Sequence, residues 1–293
     1  MPAARAERAP AKINLTLRVV GRRADGYHDI ESLVVFAGVG DTLTFAPARA
    51  LALKVDGPTA AASGTIGDNL VFKAVRALAE RVEGLKLGRF ALTKRLPVAA
   101  GVGGGSSDAA AALRLIARAN RLALDDARVM EAAGVTGADV PVCVDPRPRM
   151  MRGIGEILSG PIVLPKLPAV LVNPRVAVPT KDVFTALREH LKTRKGATTG
   201  VAFEERARWK MGDLIDALAA EPNDLEAPAV AIAPVIAQVL TDLGALKGCR
   251  LARMSGSGAT CFGLFGTAPA AAAAARALRA KHPGWWIRAT KLG

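Results

Sequence analysis

"VAAGVGGGSSDAAAAL", residues 98–113, sets four glycines in five positions, then two serines, an aspartate and a run of alanines. Glycine is costly to order and adds nothing to a core, so a cluster this dense implies that something approaches the backbone closely. Consecutive glycine N–H groups form an anion cradle. A helix starting directly behind them adds unsatisfied N–H donors and the positive end of its dipole. Ser106 and Ser107 supply hydroxyls, and Asp108 falls in the first helical turn. The order reads as a phosphate-binding loop, built from Pro97, Val98, Ala99, Ala100, Gly101, Val102, Gly103, Gly104, Gly105, Ser106 and Ser107.

Two common phosphate loops do not fit. The pattern G-x-x-x-x-G-K-[ST] needs a lysine after its last glycine, and Ser106 follows Gly105. The dinucleotide fingerprint needs a glycine at the sixth position counted from Gly101, where Ser106 stands. It also wants a strand running straight into the first glycine, whereas Pro97 and three further residues intervene.

Working outward, the 293 residues suffice for one large or two ordinary domains with a sizeable core. Strands are expected over 13–20, 30–39, 41–48, 51–55 and 88–96, with "GRRADGYHD" (21–29) as a turn cluster. Helices are expected over 69–82, capped by Asn69, then about 107–119 and 125–133. A Pro/Arg/Gly-rich passage, "DPRPRMMRGIGE" (145–156), marks a boundary. Beyond it, 169–174 reads as a strand, and 181–191, 212–219, 234–243 and 269–281 read as helices. "CRLARMSGSGATCFGLF" (249–265) reads as strand, glycine turn, strand, "WWIRAT" (285–290) as a last strand, and 193–208 as a mobile polar loop. The elements mix without strict βαβ alternation, which argues α+β in two lobes, divided as 1–160 and 161–293.

The formal charge of +14 raises a nucleic-acid partner as an alternative. The arginines are scattered along an Ala/Arg-rich chain with no dense basic block, and nucleic-acid binding would leave the glycine cradle without a role. Cys143, Cys249 and Cys261 lack C-x-x-C spacing, against a disulfide framework or zinc site and in keeping with a reducing cytoplasm. The basic "MPAARAERAPAK" has no apolar h-region, and no apolar run reaches bilayer length. The expectation is a soluble, cytoplasmic protein that engages neither membrane nor nucleic acid.

"LPVAAGVGGGSSDAA" (96–110) closely resembles the phosphate loop of the GHMP kinases. "APAKINLTL" (9–17) and "MSGSGATCFGLF" (254–265) resemble the family's N-terminal motif and the C-terminal glycine motif that buttresses the loop. With "DGYHDIESL" (25–33) and "GADVPVCV" (137–144), they resemble the branch that acts on 4-diphosphocytidyl-2-C-methyl-D-erythritol. That resemblance implies an α+β, two-lobed GHMP kinase fold, with a ribosomal-S5-domain-2-like N-terminal lobe and a ferredoxin-like C-terminal lobe. It implies ATP-dependent phosphorylation of the substrate's 2-hydroxyl in non-mevalonate isoprenoid synthesis, with ATP and Mg2+ required. A homoserine- or mevalonate-type kinase is the near alternative.

The resemblance also distributes roles. Lys12 matches the catalytic lysine and Asp139 the general base. From the residues alone, Asp139 ahead of apolar 140–142 is either a helix N-cap or a placed acid. Tyr27, the one tyrosine, would stack on cytosine while His28 bonds its edge. Asn14 matches a substrate-contacting asparagine and Lys94 a lysine near the nucleotide. Phe184 is a candidate for the second side of the cytosine sandwich, with Thr180 nearby, and core packing stays open for it. Ser107 is a candidate magnesium ligand, no carboxylate being marked as its partner, so the metal site is left open. Two departures stand out: Ala99-Ala100 where relatives carry more glycine, and "DPRPRMM" (145–151) in place of a glycine-rich passage.

Overall fold

The computed structural model describes residues 5–98, 100–191 and 200–293. Ala99 and much of the expected 193–208 loop therefore lie outside the described residues. The chain begins with β1 (Arg5–Asn14), β2 (Arg18–Arg22), β3 (His28–Pro47) and β4 (Ala52–Asp56). Then come α1 (Leu70–Ala79), β5 (Gly88–Thr93), α2 (Gly104–Ala119), α3 (Ala127–Thr136) and α4 (Val140–Val144). It continues through β6 (Arg149–Gly153), β7 (Ile157–Leu158), β8 (Leu167–Asn173), α5 (Thr180–Leu191), α6 (Met211–Ala220) and α7 (Glu226–Ile232). The last elements are α8 (Val235–Gly244), β9 (Cys249–Met254), β10 (Cys261–Phe265), α9 (Ala268–Lys281) and β11 (Trp286–Leu292).

Two compact units emerge, each assembled from separate stretches of chain. The first comprises residues 1–12, 39–98 and 103–146. In it β4 runs parallel to β5, and β5 pairs antiparallel with the second half of β3, from Thr42↔Thr93 to Pro47↔Gly88. Helices α1, α2, α3 and α4 pack together beside it. Asn69 caps α1 through its side chain, as its sequence position suggests. Every residue of α2 from Ser107 to Ala117 is buried, and its alanines let neighbours approach closely.

The second unit comprises residues 13–38, 99–102 and 147–293. Here β2 and β6 flank the first half of β3, and β11, β8, β10 and β9 follow as an antiparallel array. β8 is buried at all seven positions, as a strand covered on both faces must be. These compact units cut the chain differently from a single division at 160/161.

Three elements differ from the sequence reading. The expected pair of strands over 30–39 and 41–48 is one twenty-residue strand, because Gly38 and Gly40 permit close approach instead of turning the chain. A methyl on Gly40 would strike the Ala9–Pro10 backbone of β1. The boundary passage 145–156 contains β6, in register with β3 from Ile30↔Gly153 to Val34↔Arg149. Helix α2 starts at Gly104 rather than near 107, with the Ser107 N–H already donating to the Gly103 carbonyl.

Candidate active site

In the first unit, the phosphate loop ends at Gly103, the N-cap of α2, in the left-handed conformation with φ 59°. A glycine cap has no side chain to take the first-turn N–H groups, so these remain for an anion. Gly103 is also spatially required: an added methyl would lie 3.2 Å from Lys12 Cβ and 3.3 Å from its Cε. The lysine stem thus lies along the glycine. Its Nζ reaches Asp139 Oδ1 at 2.7 Å.

Asp139 occupies the N-cap position of α4, yet its side chain makes no capping bond. Of the two readings open from sequence, a cap or a placed acid, the side chain does not act as the cap. The pair is unequally enclosed: the Lys12 side chain is 5 % exposed and that of Asp139 37 %, so the carboxylate keeps access to a ligand.

Lys94 is placed differently. Its Nζ lies 2.5 Å from Asp41 Oδ2 and 2.7 Å from Asp108 Oδ2, all three residues being buried. Asp41 additionally accepts the backbone N–H groups of Arg95 and Leu96 at 2.5 and 2.8 Å. With the ammonium and two amides serving Asp41, burial dominates at Asp108 and pushes its carboxyl up to about 8, against the opposing pull of Lys94. Lys94 is itself held charged by the two carboxylates, against its own burial. The sequence offered no signal for Asp41, which lies 53 residues from its lysine.

The rest of the loop is tied down around these groups. Ser107 is fully buried and donates its hydroxyl hydrogen to the Pro10 carbonyl at 2.7 Å. Pro97, Ala100 and Val102 are buried, while Val98 and Gly105 are exposed; Gly101, Gly104 and Ser106 are intermediate. Cys143, in α4, is closed off by burial, which pushes its thiol up to about 12 and removes it as a nucleophile.

In the second unit, Gly101 (φ 70°) faces the C-terminal glycine motif so tightly that a methyl would stand 2.8 Å from the Ser255 carbonyl oxygen. Ser255 Oγ donates to the Gly101 carbonyl, and Thr260 N–H donates to the Ala100 carbonyl. This is the buttress expected of residues 254–265. Ser255 Oγ also accepts the Asn14 N–H at 3.1 Å, and Asn14 Nδ2 donates to Ser32 Oγ at 2.7 Å. Neither serine was singled out from sequence, although both lie inside quoted motifs.

The turn carrying Tyr27 is rigid. Gly26 takes φ 91°, the Arg23 N–H donates to the Tyr27 carbonyl, and Tyr27 N–H donates to Asp25 Oδ1. The tyrosine itself is 61 % exposed. His28 and Phe184 stack, with ring centroids 4.9 Å apart and planes 23° from parallel. Phe184 is therefore half-buried against the histidine, and the two rings form one shelf. Thr180, at the start of α5, exchanges a hydroxyl bond with Ser257 of the glycine motif at 2.8 Å. Thr180 and Phe184, four apart, share a helix face.

Comparison with known proteins places this arrangement. The family model "GHMP kinases N terminal domain" matches residues 69–145, and "GHMP kinases C terminal" matches 202–284. The chain is 58 % identical over 289 residues to the 4-diphosphocytidyl-2-C-methyl-D-erythritol kinase of Methylobacterium radiotolerans, covering 98 % of both. It is 56 % identical over 294 residues to that of Xanthobacter autotrophicus, covering 97 % of this chain and 98 % of the relative. A crystal structure of 4-(cytidine 5'-diphospho)-2C-methyl-D-erythritol kinase superposes with a TM-score of 0.77 at 34 % identity, covering 99 % of each chain. The glycine loop, its buttress and the α+β fold thus belong to an enzyme: this chain is a member of the GHMP kinases, in the 4-diphosphocytidyl-2-C-methyl-D-erythritol kinase family.

Proposed function

We propose that the chain transfers the γ-phosphoryl group of ATP to the 2-hydroxyl of 4-diphosphocytidyl-2-C-methyl-D-erythritol, a step of non-mevalonate isoprenoid synthesis. The observation that carries the chemistry is the Lys12–Asp139 pair, an ammonium 2.7 Å from a carboxylate that caps nothing and stays accessible. Phosphoryl transfer asks the protein chiefly for positioning and charge. Asp139 accepts the hydroxyl proton as the oxygen attacks the γ-phosphorus, and its exposure gives that proton a way out to solvent. Lys12 supplies positive charge to the oxygen and the transferring group. The loop glycines and the uncapped first turn of α2 hold the phosphates.

Substrate choice is assigned to the second unit. Tyr27, on its pinned turn, offers a face for a base to stack on, and His28 with Phe184 offers a second aromatic surface and a polar edge. Asn14 and Thr180 supply polar contacts. A homoserine- or mevalonate-type substrate, with no base, has no use for these rings. Lys94 serves the nucleotide from behind the loop, by holding α2 one turn past its start through Asp108.

Among the described residues no group of three His, Cys, Asp or Glu side chains could cage a metal. Magnesium would arrive with ATP, and its protein ligands stay open, Ser107 Oγ being buried and bonded to the Pro10 carbonyl. When bound, the ion offsets charge on the β- and γ-phosphates. We read the reaction as cytoplasmic from the three free cysteines. No helix among the described residues is long and apolar enough to cross a membrane.

The test is ADP release from ATP and magnesium with the cytidine diphosphate substrate, with homoserine and with mevalonate. Turnover confined to the first supports the assignment. Turnover with homoserine or mevalonate instead would overturn the roles given to Tyr27, His28 and Phe184.

A further inference from the structure

We propose that Ser32 is a positioning residue that fixes which end of the Asn14 amide faces the substrate, so that Asn14 selects a methylerythritol hydroxyl as a hydrogen-bond donor. The proposal takes its ligand from the substrate reading above and adds the direction of one hydrogen bond.

The argument is a count of hydrogens. Ser32 is fully buried in β3, and its Oγ has two close polar neighbours: the Thr16 carbonyl at 2.6 Å and Asn14 Nδ2 at 2.7 Å. A hydroxyl carries one hydrogen. A carbonyl oxygen can only accept, so the Ser32 hydrogen goes to Thr16. The Ser32 oxygen must then accept from Asn14, and of the two ends of the amide only Nδ2 can donate. Turning the amide over would set its oxygen and the Thr16 carbonyl in competition for one hydrogen. Thr16 cannot move aside to relieve this, because its own hydroxyl oxygen accepts the Leu33 N–H at 3.0 Å.

With the amide fixed, Asn14 Oδ1 is left as an acceptor on a residue that is 2 % exposed, and it has no partner among the described residues. An orphaned buried acceptor is costly, and such groups call for a specific explanation. The residue beside it carries no side chain. A methyl added to Gly256 would stand 3.3 Å from Oδ1, and Gly256 sits at φ 58°, where a side chain is doubly disfavoured. The Gly256 backbone is anchored in turn by Asn223 Nδ2, which donates to the carbonyls of Met254 and Gly256 at 2.8 and 2.9 Å. A ligand hydroxyl pointing its hydrogen at Oδ1 would satisfy the orphan; an ether oxygen there would meet it acceptor to acceptor.

The experiment measures dissociation constants by calorimetry for the parent substrate and for three derivatives, each with one methylerythritol hydroxyl capped as its methyl ether. Wild type and Ser32→Ala are compared, with the KM for ATP as a control on the fold. In the wild type, one ether is expected to bind at least about 10-fold more weakly than the other two, the effect of one lost hydrogen bond at a buried acceptor. In Ser32→Ala the amide is free to turn its Nδ2 to the ether oxygen, and that penalty should fall below about 3-fold, with ATP KM unchanged. A merely structural role for Ser32 would weaken all four ligands in parallel and leave the selectivity intact. Wild-type ethers binding within 3-fold of one another overturn the proposal, as does a penalty that persists in Ser32→Ala. Should that variant fail to fold, Asn14→Ala must abolish the selectivity, and its persistence there also overturns the proposal. Failure of wild type to bind the parent overturns the substrate reading, and the proposal with it.

Discussion

Two buried lysines of the same compact unit meet carboxylates at nearly the same distance, yet one pair stays open to solvent and the other is closed off. Lys12 has a single partner, Asp139, at 2.7 Å, and that partner is 37 % exposed. Lys94 has two, Asp41 and Asp108, at 2.5 and 2.7 Å, with side chains 0 and 3 % exposed. What separates them is the number of acceptors and their access to solvent. A carboxylate with one counter-ion and an open edge can take and release a proton. Two closed carboxyl groups on one ammonium form a clasp between the end of β5, the middle of β3 and the second turn of α2, since α2 starts at Gly104 and Asp108 lies past the first turn expected from sequence. Lys94, matched from sequence to a lysine near the nucleotide, therefore has its charge engaged by the protein itself.

The sharpest way to break this contrast is to remove each centre. Asp139→Asn keeps shape and removes the base, and kcat should fall by about 10³-fold or more with little change in melting temperature. Lys12→Met should act similarly on kcat. A large loss of stability in either would assign the pair to architecture instead. Lys94→Met should do the reverse. It leaves the buried Asp41 carboxylate without its ammonium, which costs about 3–5 kcal/mol, read as a lower denaturant midpoint. Gly103→Ala probes the link between loop and Lys12: a left-handed alanine costs about 1–2 kcal/mol. Its methyl would also crowd Lys12 at 3.2 Å, so kcat should fall several-fold while substrate KM holds.

The smallest effect is the most discriminating. Burial pushes the Asp108 carboxyl up to about 8, far above the ordinary aspartate range near 4. Because the folded state binds this proton more tightly than the unfolded chain, the stabilising contribution is complete below about pH 4 and is lost as pH rises through about 8. Asp108→Asn, neutral at every pH, should flatten the decline in melting temperature between pH 5 and 8.5. An unchanged profile would mean that Asp108 is ionised throughout.

Much of this was legible in the sequence because it is local. Asn69 caps the helix it precedes, Gly26 marks the turn under Tyr27, and the glycine loop opens the helix that follows it. What was hidden is what distance in sequence hides. Asp41 meets Lys94 across 53 residues, and Phe184 stacks on His28 from far along the chain. Gly38 and Gly40 looked like punctuation, because a glycine that ends a strand and one that admits a neighbouring backbone are the same letter. Ser32 and Ser255 read as ordinary strand and turn serines. Only their two-way bonds, to Thr16 and Asn14 and to Asn14 and Gly101, set them apart.

The complete enclosure of α2 has a consequence in time rather than in energy. From Ser107 to Ala117 no residue reaches solvent, and mid-helix Arg114 is fastened to Glu7 and to the carbonyls of Arg8 and Cys143. Its amides can exchange hydrogen for deuterium only when the surrounding unit opens as a whole. The uncapped first-turn amides, a few residues away, have no such protection. Exchange rates should therefore step by orders of magnitude within about one helical turn, a slow anchor beside fast donors, and bound nucleotide should erase the step from its fast side alone.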